Sequence, residues 1–302
     1  MATCGNILNE LLQSGEALEL ELEESSGGRP ARRYKLNADY SYIACLYVKS
    51  EGGVHSMTYG VANLLGELVE EQTSVLEGIE YDSIEHQLDA LIERHGNIKA
   101  IGIGIPGVVN NGVIGVCDIA ALSGRELGAE LKGKYGLEVT VENDMNLTVY
   151  GFYRLQNFDA EQTFAVVTLA KDTFPGAGFI VNGNILRGNT HFAGEVSYLP
   201  FALTREEQLK RTSTSSGFLP LAVQITTSIA ALINPVSIAL TGELSSEELM
   251  EEIYAGCLQY IPQEHMPELL VKKNTHDEYL HGLVSVTLES LACNFQLVEK
   301  RI

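Results

Sequence analysis

The chain has 302 residues, of which 45% are hydrophobic, so it is long enough for two lobes with sizeable cores. Its 40 acidic and 20 basic residues give a net charge of −20, which argues against broad binding to nucleic acids or anionic membranes. Any contact with DNA must therefore come from a local basic patch.

Neither targeting segments nor disulfide patterns stand out. No apolar run approaches the roughly 20 residues of a membrane span, and the N-terminus lacks a secretory signal pattern. The five cysteines are scattered and form no CxxC pair. We therefore expect a cytoplasmic protein with reduced thiols and no membrane partner.

The first 36 residues have the pattern of a partial winged helix. Residues 3–15 carry an apolar stripe between a capping threonine and a glycine, which predicts a short helix. Residues 17–24 alternate apolar and acidic side chains, as an exposed strand does. SSGG then predicts a turn, and RPARRYKLN returns as a basic strand. Two helices usually precede these elements, and we expect the winged helix to be truncated here.

From Asn37 onward, predicted strands alternate with predicted helices, which indicates α/β architecture. The predicted strands are YSYIACLYVKS, VHSMTYGVANLL, KAIGIGIP, VTVEND, TFAVVTLA, GAGFIVNG, NILRG, VSIALTG and PELLVKKN. The predicted helices are 82–96, 124–135, 145–156, 218–233, 245–261 and the last 20 or so residues.

Four segments between residues 101 and 196 indicate a ligand cleft at the strand ends. They read IGIGIPGVV, VTVENDMN, GAGFIVNGNILRG and HFAGEV. Each is an apolar run that ends in glycine, or a polar cluster able to face a small molecule.

These segments, with INPVSIALTGEL further on, resemble the ROK family of sugar kinases and sugar-responsive repressors. The resemblance implies the actin-like, two-lobed sugar-kinase fold, which is ribonuclease H-like. SSGGRPARRYKLN resembles the linker that follows the winged helix of the repressor branch. We accordingly predict a partial winged helix over 1–36, a first lobe over 37–122 completed by a helix at 283–302, and a second lobe over 123–282.

The resemblance also implies three ligand-binding residues. Asp144 matches the family's catalytic base, and Asn143 beside it can donate to a neighbouring sugar hydroxyl. Glu195 matches a second sugar-binding carboxylate. Asn143 or Asp144 could instead only cap the following helix, and Glu195 could only stabilise a helix N-terminus.

Several family motifs of phosphate and metal binding are absent. The hairpin KSEGGVHS lacks the aspartate and threonine of D-x-G-G-T, and Leu169–Gly176 replaces L-G-T-G-x-G and contains Asp172, which would repel a phosphate. Residues 197–216 hold no Cys or His for a zinc knuckle. We therefore predict that no residue acts in catalysis and that the protein has no kinase activity. We also expect it to bind neither a metal ion nor a cofactor.

Four basic residues cluster within seven positions: Arg29, Arg32, Arg33 and Lys35. Such a cluster suits a wing tip that reaches DNA, but it could also pair with the acidic strand at 19–24. Because we expect a truncated winged helix and the body is acidic, we expect DNA binding to be weak.

Together these features predict a ROK-type transcriptional regulator, or a remnant of one, that binds a sugar or sugar phosphate between its lobes. A homodimer or homotetramer is expected. The alternatives are a divergent ROK sugar kinase and a degenerate structural homologue that binds nothing.

Overall fold

A computed structural model describes residues 2–21, 32–51, 53–156 and 162–291 of the chain. It begins with helix α1 (Ala2–Ser14), and two short antiparallel strands follow, β1 (Ala17–Glu19) and β2 (Tyr34–Leu36). Helix α1 matches the predicted helix, and β1 and β2 are shorter than the two predicted strands and fall within them. The predicted SSGG turn and the strand residues beside it, 22–31, lie outside the described residues. The winged-helix assignment of residues 1–36 stays a prediction.

The first lobe is built on a mixed five-stranded sheet. Its strands are β3 (Tyr42–Glu51), β4 (Val54–Asn63), β5 (Leu68–Leu76), β6 (Ile98–Ile105) and β9 (Glu138–Asn143), in the order β5-β4-β3-β6-β9. The first three form an antiparallel meander, and β6 and β9 continue the sheet in parallel. Because β9 pairs with β6, the first sheet extends past residue 122, where the sequence predicted the second lobe to begin.

Alternating side chains of β3 face two different cores. Ala44, Leu46 and Val48 pack against α2 (Tyr81–His95), α3 (Leu127–Tyr135) and the antiparallel hairpin of β7 (Gly107–Asn110) and β8 (Val113–Cys117). Ile43, Cys45 and Tyr47 face helix α8 (His276–Leu291), which begins seven residues before the predicted 283. The period of two along a doubly covered strand explains why it reads as a continuous apolar run.

The second lobe repeats this plan with a smaller sheet. Its strands are β10 (Phe164–Thr168), β11 (Ala177–Val181), β12 (Asn184–Ile185), β13 (Ser237–Thr241) and β14 (Glu268–Lys272), in the order β12-β11-β10-β13-β14. One face is covered by α6 (Ser215–Leu232) and α7 (Glu247–Cys257), and the other by α4 (Asp144–Leu155). A short helix, α5 (Arg205–Arg211), precedes α6. The predicted α/β class is confirmed.

Helix α6 is, among the described residues, the one helix long and apolar enough to cross a membrane by length and composition alone. A core helix meets the same criteria. Phe218, Leu221 and Ile225 of α6 are buried in the core of the second lobe.

Helices α4 and α8 pack against each other between the two lobes. Gly151 of α4 lies directly against the backbone carbonyl of Glu278, and Gly282 of α8 lies against that of Leu147. A methyl group at either glycine would collide with these carbonyl oxygens, so the two backbones approach as closely as they can.

Candidate functional site

An open cleft of about 470 Å³ lies between the lobes. It is lined by residues that follow β6 and β9 of the first sheet and β10, β13 and β14 of the second. A volume of this size accommodates a small ligand, and the carboxyl ends of parallel strands are where α/β folds bind ligands.

Asn143 and Asp144 sit at the junction of β9 and α4. The Asn143 side chain caps α4 by accepting a hydrogen bond from the backbone N–H of Asn146 at 3.0 Å, and its Nδ2 donates to the carbonyl oxygen of Gly107 at 3.0 Å. Asp144 lines the cleft, and its Oδ1 accepts hydrogen bonds from the N–H of Met145 at 2.8 Å and from Asn143 Nδ2 at 3.0 Å. One residue therefore caps the helix while its neighbour presents a carboxylate to the cleft.

The carboxyl of Asp144 is electrostatically unusual. Burial and the nearby negative charge of Asp118 raise its pKa to about 7, with a smaller contribution from Glu195. The hydrogen bond from Met145 and the charge of Lys49 act in the opposite direction without cancelling the shift. Asp144 can therefore take up and release a proton near neutral pH.

Glu195 reaches the cleft because Gly194 docks on the start of β11. Gly194 has φ +101° and its carbonyl oxygen accepts a hydrogen bond from the N–H of Ala177 at 2.8 Å. A side chain at this position would collide with the carbonyl of Ala177, so only glycine fits. Burial and Asp118 raise the pKa of Glu195, while the Arg205 guanidinium lowers it.

A third carboxylate, Asp118, was missed by the sequence analysis. It follows β8, and its N–H donates to the carbonyl of Pro106 at 2.9 Å. Its side chain keeps more than a third of its surface open to the cleft, yet desolvation by the cleft walls raises its pKa. The short strands of the β7–β8 hairpin gave no periodic signal, so nothing in the sequence pointed to Asp118.

Cationic side chains line the other part of the cleft. Lys49 follows the run of buried residues in β3, and its Nζ lies 5.7 Å and 5.6 Å from the ring centroids of Tyr47 and Tyr279. Lys273 follows β14 and also lines the cleft. Asp172 does not line it: this side chain is exposed, and its N–H donates to the carbonyl of Thr212. Because the neighbouring Ala170 and Thr173 do line the cleft, the repulsion of a phosphate by Asp172 stays a prediction.

The remaining predicted residues lie elsewhere. Arg32 is 3.6 Å from the carboxylate of Glu19, across the β1–β2 pair, as the acidic-strand alternative predicted. Lys35 lies on β2 opposite Leu18, Arg33 precedes β2, and Arg29 lies outside the described residues. Whether this basic cluster contacts DNA stays a prediction.

No group of three or more His, Cys, Asp or Glu side chains is arranged to hold a metal ion within the described ranges. Loop 196–204 instead packs apolar side chains, among them Leu199, Phe201 and Leu203, against the second core. Tyr198 is half exposed and lines the cleft.

The sequence model of the ROK family matches residues 50–209, which is more than half of the chain. The chain belongs to the ROK family. This confirms the resemblance inferred from the motifs between Ile101 and Val196.

The relatives of this chain include proteins named as repressors and proteins named as kinases. A xylose repressor of Caldicellulosiruptor bescii is 26% identical over 208 residues, which are 65% of this chain and 51% of the repressor. An N-acetyl-D-glucosamine kinase of Yersinia enterocolitica is 36% identical over 107 residues, which are 34% of each protein. The chain thus spans about half or less of the length of the relatives it matches.

Solved structures show the two-lobed sugar-kinase fold. A ROK family transcriptional regulator, a homologue of the E. coli MLC protein, has a TM-score of 0.69 at 16% identity and covers 96% of this chain and 89% of its own. The ROK hexokinase of Thermus thermophilus has a TM-score of 0.64 at 18% identity and covers 82% of this chain and 98% of its own. The predicted fold and the likeness to the repressor branch are confirmed.

The prediction that the protein is not an enzyme is corrected by these comparisons. Several relatives and solved neighbours are named sugar kinases, alongside the repressors. We inferred the lack of catalysis from the lack of kinase motifs in the sequence. The folded cleft nevertheless contains lysines that those motifs did not predict.

Proposed function

We propose that the protein binds a hexose or amino sugar in the cleft and transfers a phosphoryl group to it from ATP, with Asp144 as general base. One observation carries this proposal: Asp144 opens into the cleft with its pKa raised to about 7. A base is most effective when its pKa lies near the working pH. The names of the kinase relatives supply the substrate class.

The residues around Asp144 suit a polyhydroxylated ligand. The carboxylates of Asp118 and Glu195 can accept hydrogen bonds from sugar hydroxyls, and Asn143 holds the helix start from which Asp144 projects. Lys49 and Lys273 place positive charge in the same cleft, where the anionic donor would need it.

The chemistry follows from these positions. Asp144 removes the proton from one sugar hydroxyl while the oxygen of that hydroxyl attacks the terminal phosphorus of ATP. The bond from that phosphorus to the leaving oxygen breaks, ADP departs, and the proton stays on Asp144 until the sugar phosphate leaves. Burial favours the protonated form of Asp144, which assists this uptake of the proton.

The test is phosphorylation of a panel of hexoses and amino sugars with ATP and Mg²⁺ by the wild type and by Asp144→Asn. The amide keeps the shape and loses the base, so we expect kcat to fall about 100-fold or more. For the wild type, kcat/KM should rise about tenfold per pH unit below pH 7 and level off above it.

Asp82→Asn is the matched control, because it makes the same change at an exposed site in the first turn of α2, outside the cleft. Its activity should equal that of the wild type. Absence of turnover with every sugar, or equal turnover by Asp144→Asn, would contradict the proposed reaction.

A second function, sugar-responsive gene regulation, is favoured by a different observation. The alignment with the regulator structure takes in 96% of this chain, whereas the kinase alignment takes in 82%. The additional region can include the N-terminal helix and the strand pair with Arg32 and Lys35. In this role, a sugar held by Asp144 and Glu195 would be an effector, and the protein would act as a homodimer or homotetramer on paired DNA sites.

Fluorescence anisotropy with duplexes from the protein's own upstream region tests this second function. Sequence-selective binding that changes on adding a sugar supports it, and Asp144→Ala should remove the sugar response while leaving DNA affinity unchanged. Equal binding to all duplexes, with or without sugar, contradicts it.

A further inference from the structure

The guanidinium of Arg205 contacts two aromatic rings at the wall of the cleft. Its guanidinium carbon is 3.6 Å from the ring centroid of Phe174 and 4.5 Å from that of Tyr198. All three side chains line the cleft. Phe174 belongs to the loop between β10 and β11, and Tyr198 follows Glu195 by three residues, so one side chain contacts both loops.

The base of Arg205 is held in place by its own helix. Thr204 and Glu207 form a reciprocal capping box at the start of α5, with Thr204 Oγ1 accepting from the N–H of Glu207 at 3.2 Å and Glu207 Oε2 accepting from the N–H of Thr204 at 2.8 Å. Such caps fix the first turn of a helix. Arg205 is the first residue of that turn.

Arg205 also fastens the turn that carries Glu195. Its Nη1 donates to the carbonyl oxygen of Ser197 at 2.9 Å, and the buried Gln208 of the same helix donates to that oxygen at 3.0 Å. The N–H of Tyr198 donates to the carbonyl of Glu195 at 3.1 Å, which closes the turn. Position and direction of the Glu195 segment therefore depend on α5.

The charge of Arg205 acts on Glu195 as well. The neighbouring Asp118 and burial both favour the protonated form of Glu195, and Arg205 is the group that opposes them. A neutral side chain at position 205 would leave two carboxylates of like charge without this compensation.

We propose that Arg205 is a positioning residue, which joins the Glu195 turn to the β10–β11 loop through the Phe174–Arg205–Tyr198 stack and sets how tightly the cleft binds its sugar. The effect of Arg205 on sugar binding rests on the proposed function. The joining of two loops by one planar cation does not, because it rests on contacts within the chain itself. Loop 196–204, which has no Cys or His for zinc, is thus fastened by a guanidinium that contacts two rings.

Arg205→Leu and Arg205→Lys separate the two effects, with Arg211→Leu as the matched control that removes a positive charge from the exposed end of the same helix. The first readout needs no ligand. Amide hydrogen exchange in residues 170–176 and 195–204 should quicken about tenfold or more in both Arg205 variants, because lysine lacks the planar group that stacks. It should stay unchanged in Arg211→Leu.

The second readout is the pKa of Glu195, followed by ¹³C NMR of its side-chain carboxyl and assigned by loss of the signal in Glu195→Gln. Arg205→Leu should raise this pKa, and Arg205→Lys should keep it near the wild-type value because the charge remains. If Arg205 acted only structurally, Arg205→Leu would change the exchange rates but not the pKa of Glu195. That result would overturn the proposed effect of the Arg205 charge on Glu195.

The third readout is kinetic. KM for the preferred sugar should rise about tenfold in Arg205→Leu with kcat within about twofold of wild type, since the residue acts on binding rather than on the reacting atoms. If no sugar turns over or binds to the wild type, the proposed function fails while the first two readouts still decide the role of Arg205. Unchanged exchange in both loops of Arg205→Leu overturns the proposal.

Discussion

Arg187 pairs with Glu142 across the two lobes at 2.7 Å. Arg187 follows β12 of the second sheet, and Glu142 is the penultimate residue of β9 in the first. Glu142 is buried, and its other oxygen accepts hydrogen bonds from Asn146 Nδ2 and from the N–H of Asn143, both at 2.9 Å. The Glu142 carboxylate thus connects the ion pair to the first turn of α4, where Asp144 lies.

Arg187→Met should lower the free energy of unfolding by about 1–3 kcal/mol, because it leaves a buried carboxylate without its cation. The double variant Glu142→Gln, Arg187→Met removes both charges and should recover part of that loss. Urea denaturation of the wild type, the two single variants Arg187→Met and Glu142→Gln, and the double variant measures these values. If Glu142→Gln destabilises the Arg187→Met variant by as much as it destabilises the wild type, the two residues are not coupled.

Asp144→Asn should stabilise the protein at alkaline pH. The pKa of Asp144 is about 7 in the folded state, against about 3.9 in an unfolded chain. The folded state therefore holds the proton more tightly, and this contribution to stability is complete below about pH 4 and is lost as the pH rises through 7. The variant should exceed the wild type by a few kcal/mol at pH 8 and by much less at pH 4.

Thermal denaturation of wild type and Asp144→Asn at several pH values measures this difference. Asp172→Asn, at an exposed position, should track the wild type throughout. A constant difference between wild type and Asp144→Asn from pH 4 to pH 8 would mean that Asp144 has an ordinary pKa.

Gly194→Ala should destabilise the protein by more than about 1 kcal/mol and abolish sugar binding, because φ +101° and the carbonyl of Ala177 leave no room for a side chain. Gly133→Ala is the contrasting change. Gly133 lies within α3 with open space around it, so alanine there should be neutral or stabilise by up to about 1 kcal/mol. Equal effects of the two substitutions in calorimetric scans would contradict the docking of Gly194.

Arg32→Ala should change stability by less than about 0.5 kcal/mol, since Arg32 and Glu19 are exposed by 68% and 44% and surface ion pairs contribute little. If residue 32 serves a wing, the same change should weaken DNA binding and reduce its salt dependence. Denaturation and anisotropy at two salt concentrations separate these roles. A large loss of stability would identify Arg32 as a structural residue.

Much of the fold could be predicted because its elements carry strong periodic patterns. β3, β6 and β13 are apolar on both faces, and both of their faces are covered. The motif around Asn143 and Asp144 lines the cleft, although sequence alone left open which of the two residues caps α4. Asn143 does so because its side chain can accept from Asn146 while donating to Gly107.

Other parts of the site depend on tertiary packing that leaves no local pattern. Asp118 belongs to the cleft through the pairing of two strands of four and five residues. Lys49 and Arg205 were overlooked because their roles come from rings far away in sequence, on α8 and on the β10–β11 loop. The pairing of β9 with β6, which carries the first sheet past residue 122, cannot be read from the β9 sequence itself.

The glycine contact between α4 and α8 couples the two lobes mechanically. Helix α8 packs on the first sheet and α4 on the second, so this contact is the joint between them. The two backbones touch at Gly151 and Gly282 with no side chain between them that could repack, so a displacement of one helix is passed directly to the other. A methyl group at position 151 would push α8 away from α4, and because α4 begins at Asp144, seven residues earlier, the change would reach the cleft.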